Sequence, residues 1–298
     1  MSLPTPSLPD PSHSLPETAS HPHRCGNCDT VLTGPYCSGC GQHAHASARS
    51  LTAVLHDGWH DLTHVDGRLW HTLWLLFSKP GRLTQDFFEE RRARYLPPVR
   101  LYLVLSLVFF SLGASTGEFS SSSETAGTRH NPDIPCEKLI LIDYPALAHL
   151  SQDACTRFVK MGSDNFVKTM THNIPKMMFV FLPLMAGVMA LLYWRPRRYY
   201  VEHLVFLLHN HSALFLGFVG QALIETLAHY WHPLTELGSI TGFALFLYVL
   251  WYPYAAMRRY YSQGRALTGA KYLLIGLAYG LCLVITFIGT AVITTFNE

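Results

Sequence analysis

The sequence predicts an all-α membrane protein with about five transmembrane helices, a small N-terminal zinc ribbon and interfacial amphipathic helices. Of the 298 residues, 49% are hydrophobic and only 14% are charged, whereas soluble domains average about 25% charged residues. The mean hydropathy is only +0.16, so a polar portion must dilute a very apolar one. Apolar runs cluster after Leu101, while residues 1–95 have the composition of a soluble segment. A formal charge of +2 gives no reason to expect binding to nucleic acid.

The N-terminal segment, residues 1–23, is predicted to be a disordered, proline-rich arm. Six prolines fall within the first 24 residues, with Ser, Thr and His between them. This composition cannot form a packed core. The segment also lacks the basic region and the apolar run of a secretory signal.

Residues 24–46 contain two Cys-x-x-Cys pairs separated by eight residues, and this spacing is typical of a zinc ribbon. The four cysteines are Cys25, Cys28, Cys37 and Cys40. Four thiolates around one tetrahedral ion form a closed site, so we expect one structural zinc ion per chain. Two disulfides, which need an oxidising compartment, and an iron–sulfur cluster are the alternatives.

Residues 47–95 alternate apolar and polar positions at helical spacing and are predicted to form cytosolic or interfacial amphipathic helices. The apolar stripe from Leu69 to Phe77 is too short to span a bilayer. Lys79-Pro80-Gly81 is predicted to end this helix, and a second helix is expected over residues 83–94.

A basic cluster directly precedes the first predicted span. It consists of Arg91, Arg92, Arg94 and Arg100. Such clusters attract anionic lipid headgroups, by about 1 kcal/mol per cation near the surface. The same charges could instead serve only to set the topology.

Three histidines, His56, His60 and His64, recur at four-residue spacing. On a helix they would share one face, as metal-binding pairs do. Gly58 weakens a helix there, and a face of histidines that contacts water or headgroups is the plainer interpretation.

The region 96–298 is predicted to contain the membrane spans. We expect them at residues 96–114, 176–194, 203–227, 239–257 and 271–295, with kinks at Pro183 and Pro253. Sixteen of the 22 Lys and Arg residues then fall on one side. The positive-inside rule predicts a cytosolic N-terminus and an extracytoplasmic C-terminus.

The segment 115–175 is therefore predicted to be an extracytoplasmic loop. It contains Cys136 and Cys155, which could form a disulfide in that compartment or remain two free thiols.

The third predicted span is unusually polar. Its ionisable residues are Glu202, His203, His209, His211, Glu225 and His229. Such residues at membrane depth are candidates for function, as a proton or cation path or a metal site. Hydrogen bonding between helices is the structural alternative. Because the polar positions occupy three stripes, this helix is expected to face protein on most sides.

Several local motifs resemble an uncharacterised bacterial family of zinc-ribbon membrane proteins, a domain of unknown function. They are the Cys25–Cys40 ribbon ending in Cys-Gly-Gln, Lys79-Pro80-Gly81, the Arg94-Tyr95-Leu96-Pro97 run and Tyr200-Val201-Glu202-His203. The resemblance implies a multi-pass protein of the bacterial inner membrane with a cytosolic ribbon. It implies no activity, substrate or catalytic residue.

Three functions are compatible with these patterns. The first is a membrane-anchored binding or regulatory protein whose ribbon engages a protein partner in the cytosol. The second is a small transporter or channel with a polar path along the third span through His209, His211 and Glu225, formed by one chain or by an oligomer. The third is an intramembrane metalloenzyme. We predict no catalytic residues, because the sequence contains no nucleotide-binding loop, nucleophile elbow or carboxylate pair.

Overall fold

The computed structural model describes residues 24–43, 68–115, 156, 163–195, 198–230 and 235–297. The chain divides into two compact units, Met1–Ala46 and Ser47–Glu298, and each is described by itself. The predicted proline-rich arm, the histidine row His56, His60 and His64, and the pair Cys136 and Cys155 lie outside the described residues.

All regular secondary structure in the described part of the second unit is helical. The helices are α1 (Arg68–Ser78), α2 (Arg82–Phe88), α3 (Pro98–Ser115), α4 (Ser163–Leu192), α5 (Tyr200–Tyr230), α6 (Thr235–Tyr261) and α7 (Arg265–Asn297).

Four helices are long and apolar enough to cross a membrane. These segments are Asn173–Leu192, Tyr200–Ala228, Glu236–Tyr261 and Arg265–Ile293. The first predicted span, residues 96–114, corresponds to a shorter apolar helix, Pro98–Gly113. The described part of the second unit is therefore all-helical and has the features of a membrane protein, and four spans rather than five meet the length criterion.

Helix α5 lies at the centre of the helical unit. Within its apolar window 72% of the positions are buried, compared with 11% for α7. It packs against α1, α2, α3, α4 and α6. The expectation that this helix faces protein on most sides is thus confirmed.

The short helix α1 divides the predicted apolar stripe between two environments. Leu75 and Leu76 are buried in the core, whereas Trp70 and Trp74 are 76% and 70% exposed. The hydroxyls of Tyr248 and Tyr252 donate to carbonyls in the last turn of α1, those of Phe77 at 2.6 Å and Leu76 at 2.8 Å. These bonds satisfy carbonyls that a helix end leaves free, and they fix α1 to α6.

Helix α1 ends before Lys79-Pro80-Gly81, as the sequence predicts. Gly81 has a φ of 75°, and a Cβ there would lie 2.7 Å from the carbonyl oxygen of Ala256. Glycine is required at this position because the backbone is left-handed and α6 approaches closely.

Helix α2 ends at Phe88, six residues before the predicted end at residue 94. Glu90 adopts a left-handed conformation with a φ of 64°, and the amide of Arg91 donates to the carbonyl of Asp86 at 2.9 Å. This is the hydrogen bond of a Schellman-type helix end. The prediction was wrong because such an ending usually uses glycine, and the charged sequence here contains none.

Candidate metal centre and buried polar contacts

The two Cys-x-x-Cys segments fold as two copies of one turn. In the first, the amide of Cys25 donates to Thr30 O and the amide of Asp29 donates to Cys25 O, both at 2.9 Å. In the second, Cys37 and Gly41 make the equivalent bonds, at 2.8 and 2.9 Å. Asp29 and Gly41, each four residues after the first cysteine of its pair, both have positive φ. An isolated antiparallel bridge closes each turn.

The two turns bring the four cysteine sulfurs together. All four Sγ atoms lie within 4.8 Å of one another. Cys25 Sγ is 3.6 Å from Cys40 Sγ, and Cys28 Sγ is 3.4 Å from Cys37 Sγ. A tetrahedral ion with metal–sulfur bonds of about 2.3 Å requires sulfur separations of about 3.8 Å. The four cysteines therefore have the arrangement needed to bind a metal ion.

The surroundings of the sulfurs favour thiolates on the exposed side of the cluster. The Thr30 hydroxyl lies 3.2 Å from Cys28 Sγ, and hydrogen bonds from Thr30 lower the pKa of the Cys28 thiol to about 6. Burial raises the pKa of the Cys25 thiol to about 11, whereas a cation bound among the four sulfurs would favour its thiolate. A Cβ at Gly39 would lie 2.7 Å from Thr30 Oγ1, so glycine permits the two turns to meet.

In the helical unit, the histidines near the beginning of α5 each contact a different helix. His203 Nδ1 lies 2.7 Å from the Tyr261 hydroxyl of α6. His209 Nδ1 lies 2.9 Å from Thr84 Oγ1 of α2. His211 Nε2 lies 3.3 Å from the Tyr279 hydroxyl of α7. These side chains hold four helices together through polar contacts, as the structural alternative predicted.

Glu202 joins the first turn of α5 to the end of α6. Its carboxylate accepts hydrogen bonds from Arg198 Nη1 at 2.8 Å, the Tyr199 amide at 3.1 Å and the Tyr260 hydroxyl at 2.6 Å. The charge is thus paired and its oxygens are satisfied, although the residue is buried.

The structure does not bring the other predicted polar residues of α5 into this group. Glu225 is exposed and accepts a 2.6 Å hydrogen bond from Gln221. It lies sixteen residues after His209, about 24 Å along a helix. The side chain of His229 lies outside the described part of the chain. Among the described residues, only the four cysteines form a group of three or more that could hold one metal ion.

The predicted basic cluster separates into different environments. Arg100 is buried, at 6% exposure, and Arg92 donates to the Phe87 carbonyl at 3.0 Å. Arg91 and Arg94 instead line an open cavity of about 510 Å³.

Sequence reasoning missed this cavity and most of its wall. Lys79, Arg82 and Arg259 contribute further cations to it. The sequence signals were the basic cluster with Arg91 and Arg94 and the helix-breaking Lys79-Pro80-Gly81 turn, and nothing in the local pattern connects either of them with Arg259 on α6.

The comparisons with known proteins give one match. Residues 66–110 match a family model described as "Protein of unknown function (DUF3667)". These 45 residues include α1, α2 and most of α3. No curated protein and no solved structure matches the chain. The matched region contains the helix-breaking Lys79-Pro80-Gly81 turn and the predicted basic cluster, but none of the four cysteines.

Proposed function

We propose that this chain is a membrane-anchored binding or regulatory protein in the inner membrane of a bacterium. In this proposal the four-cysteine unit holds one structural zinc ion and presents a surface to a protein partner in the cytosol. The observation that supports it is the closed sulfur cluster, with all four atoms within 4.8 Å. Four protein ligands leave no open position for a substrate, which is typical of a structural zinc site.

The proposed topology has five spans, with the N-terminus in the cytosol and the C-terminus outside. Helix α3 runs beside α5 from its first turns to beyond its middle, since Val99 packs against Val201 and Val205, and Phe109 contacts Phe218 at 5.8 Å between ring centroids. Its 18 residues extend about 27 Å, close to the hydrocarbon thickness of a bilayer. This placement supports α3 as the first of the five spans, with the first turns of α5 at the cytosolic boundary.

Metal analysis of the purified full-length protein in detergent tests the zinc ion. A variant with Ser at Cys25, Cys28, Cys37 and Cys40 is compared with Cys282→Ala, which removes the buried cysteine of α7. We expect one zinc per chain in the wild type and in Cys282→Ala, and none in the four-serine variant. Iron in place of zinc, or metal that remains in the four-serine variant, would contradict the assignment.

Site-specific photocrosslinking in cells tests the protein partner. Tyr36, an exposed side chain of the cysteine unit, is replaced by a photoreactive phenylalanine. We expect a discrete protein adduct that disappears when the four cysteines are also replaced by serine. The binding role is refuted if no adduct forms, or if the same adduct forms without the cysteines.

A second candidate function is a proton path through the helical unit. One observation favours it: His203 Nε2, Asn210 Oδ1 and the Tyr193 hydroxyl are buried and have no hydrogen-bond partner in the described structure. Proton flux into vesicles that contain the purified protein tests this path. It requires flux in the wild type that is lost in His203→Gln and retained in Glu225→Gln, whose carboxylate lies near the other end of α5.

A further inference from the structure

A cavity of about 510 Å³ opens where three distant chain segments meet. The segments are the turn between α1 and α2, the turn that follows α2, and the last turns of α6. Five cationic side chains line it: Lys79, Arg82, Arg91, Arg94 and Arg259. Among the described residues of the wall, Asp86 carries the only carboxylate.

The tertiary structure holds this concentration of positive charge in place. Asp86 is 3% exposed and forms ion pairs with Arg82 at 3.1 Å and with Arg91 at 3.7 Å. The Tyr95 hydroxyl donates to the same carboxylate at 2.9 Å. One carboxylate thus orients two of the guanidinium groups of the wall. Glu89 contacts Arg91 at 3.7 Å from an exposed position outside the cavity lining.

Contacts between α6 and the turn that joins α1 to α2 form the other side of the cavity. Arg259 Nη1 donates to the Pro80 carbonyl at 2.8 Å, and the Gly81 backbone, which is left-handed, lies close to Ala256. The cationic groups are therefore arranged before a ligand arrives, which reduces the entropy cost of binding.

We propose that this cavity binds a phosphate group, borne by a phosphomonoester or a pyrophosphate. Guanidinium groups bind phosphate oxygens through paired hydrogen bonds, and several of them converge here with one lysine. A volume of about 510 Å³ lies within the range of small-molecule sites. The site lies in the helical unit and does not depend on the four-cysteine unit.

Two sources can supply this group, a lipid headgroup and a soluble phosphate compound. The cavity wall includes the end of α1, whose Trp70 and Trp74 side chains are exposed, and tryptophan concentrates at membrane interfaces. The test therefore needs one arm for each source.

The test uses the full-length protein in a neutral detergent at constant ionic strength. The first arm measures binding of inorganic pyrophosphate by titration calorimetry. The second arm uses native mass spectrometry to compare retention of phosphatidic acid with that of phosphatidylcholine. The test variant is Lys79→Gln with Arg94→Gln, and the matched control is Arg258→Gln with Arg265→Gln. The control removes two exposed cations near the same helix end that do not line the cavity.

We expect the test variant to weaken binding of the phosphate ligand by about tenfold or more, and the control by less than about twofold. A soluble ligand is indicated if pyrophosphate binding follows this pattern. A lipid is indicated if only phosphatidic acid follows it.

The proposal is overturned if neither ligand binds the wild type, or if the two double variants weaken binding equally, since bulk charge would then explain the effect. Misfolding is recognised by comparing elution volume and helical circular dichroism. If the test variant fails that comparison, Lys79→Arg with Arg94→Lys, which retains both charges, must bind within about threefold of the wild type. A larger loss in this charge-retaining variant also overturns the proposal.

Discussion

The four-cysteine unit and the helical unit differ in what stabilises each of them internally. In the described part of the first unit, the buried side chains are those of Cys25, Asn27 and Cys37. The helical unit has a continuous core of apolar side chains from all of its helices. We expect a small unit without such a core to depend on a bound metal ion, whereas the helical unit depends on packing and on polar contacts between helices. The two units should therefore respond differently to the same perturbation.

Metal removal should produce the largest difference between the two units. Structural zinc sites supply about 10–16 kcal/mol of apparent binding free energy, more than the apolar burial in the first unit can replace. We expect a chelator to abolish amide protection over residues 24–43 and to leave protection of α5 unchanged. Hydrogen exchange measured by mass spectrometry checks both segments in one sample. Loss of protection in α5 as well would mean that the two units do not fold independently.

A backbone substitution at Gly81 should affect only the helical unit. Gly81→Ala adds a Cβ at a positive φ, 2.7 Å from the Ala256 carbonyl oxygen. Such strain costs about 1–3 kcal/mol. We expect a lower thermal unfolding midpoint in detergent and an intact metal content. Gly276→Ala in α7 is the control, because a Cβ there meets nothing within 4 Å; an equal decrease in both variants would contradict the proposed close approach.

The carboxylates at the two ends of α5 allow the stability contribution of a buried polar group to be compared with that of an exposed one. Glu202→Gln removes a charge that accepts three hydrogen bonds and should cost about 2 kcal/mol. Glu225→Gln is the matched control, since Glu225 is exposed and contacts Gln221 of the same helix, and it should cost less than about 0.5 kcal/mol. Unfolding in detergent at graded denaturant measures both. Equal costs would show that burial of Glu202 is not what matters.

The structures of the two units are predictable from the sequence to different extents. Some features depend on residues that are close together in the chain, whereas others depend on tertiary contacts. The spacing of the cysteine pairs is local, so the four cysteines that could bind a metal ion are recognisable from the sequence alone. Hydrophobic run length is also local, and each predicted span falls on a helix. The left-handed Glu90 that ends α2 and the partners of the α5 histidines depend on tertiary contacts, so local patterns do not predict them.

Local sequence patterns likewise do not predict the candidate phosphate site. Arg91 and Arg94 are recognisable as part of a basic cluster, but Arg259 is more than 160 residues away. No periodicity connects the two segments. Arg100, which belongs to the same cluster in sequence, is buried, since the first turn of α3 faces the core. Proximity along the chain is therefore a poor guide to which cations act together.

The smallest expected effect concerns the tyrosines that fix α1 to α6. Tyr252→Phe removes a buried hydroxyl that donates to the Leu76 carbonyl at 2.8 Å. A hydrogen bond between helices in a membrane protein contributes about 0.6–1.7 kcal/mol, so we expect a loss of about 1 kcal/mol in the same unfolding assay. Tyr254→Phe is the control, because its hydroxyl is 3.5 Å from the Arg265 carbonyl at an exposed position. We expect no measurable change there. If Tyr252→Phe is also neutral, α1 is held to α6 by apolar packing of Leu75 and Leu76, and the hydroxyl then only satisfies a carbonyl that water would otherwise reach.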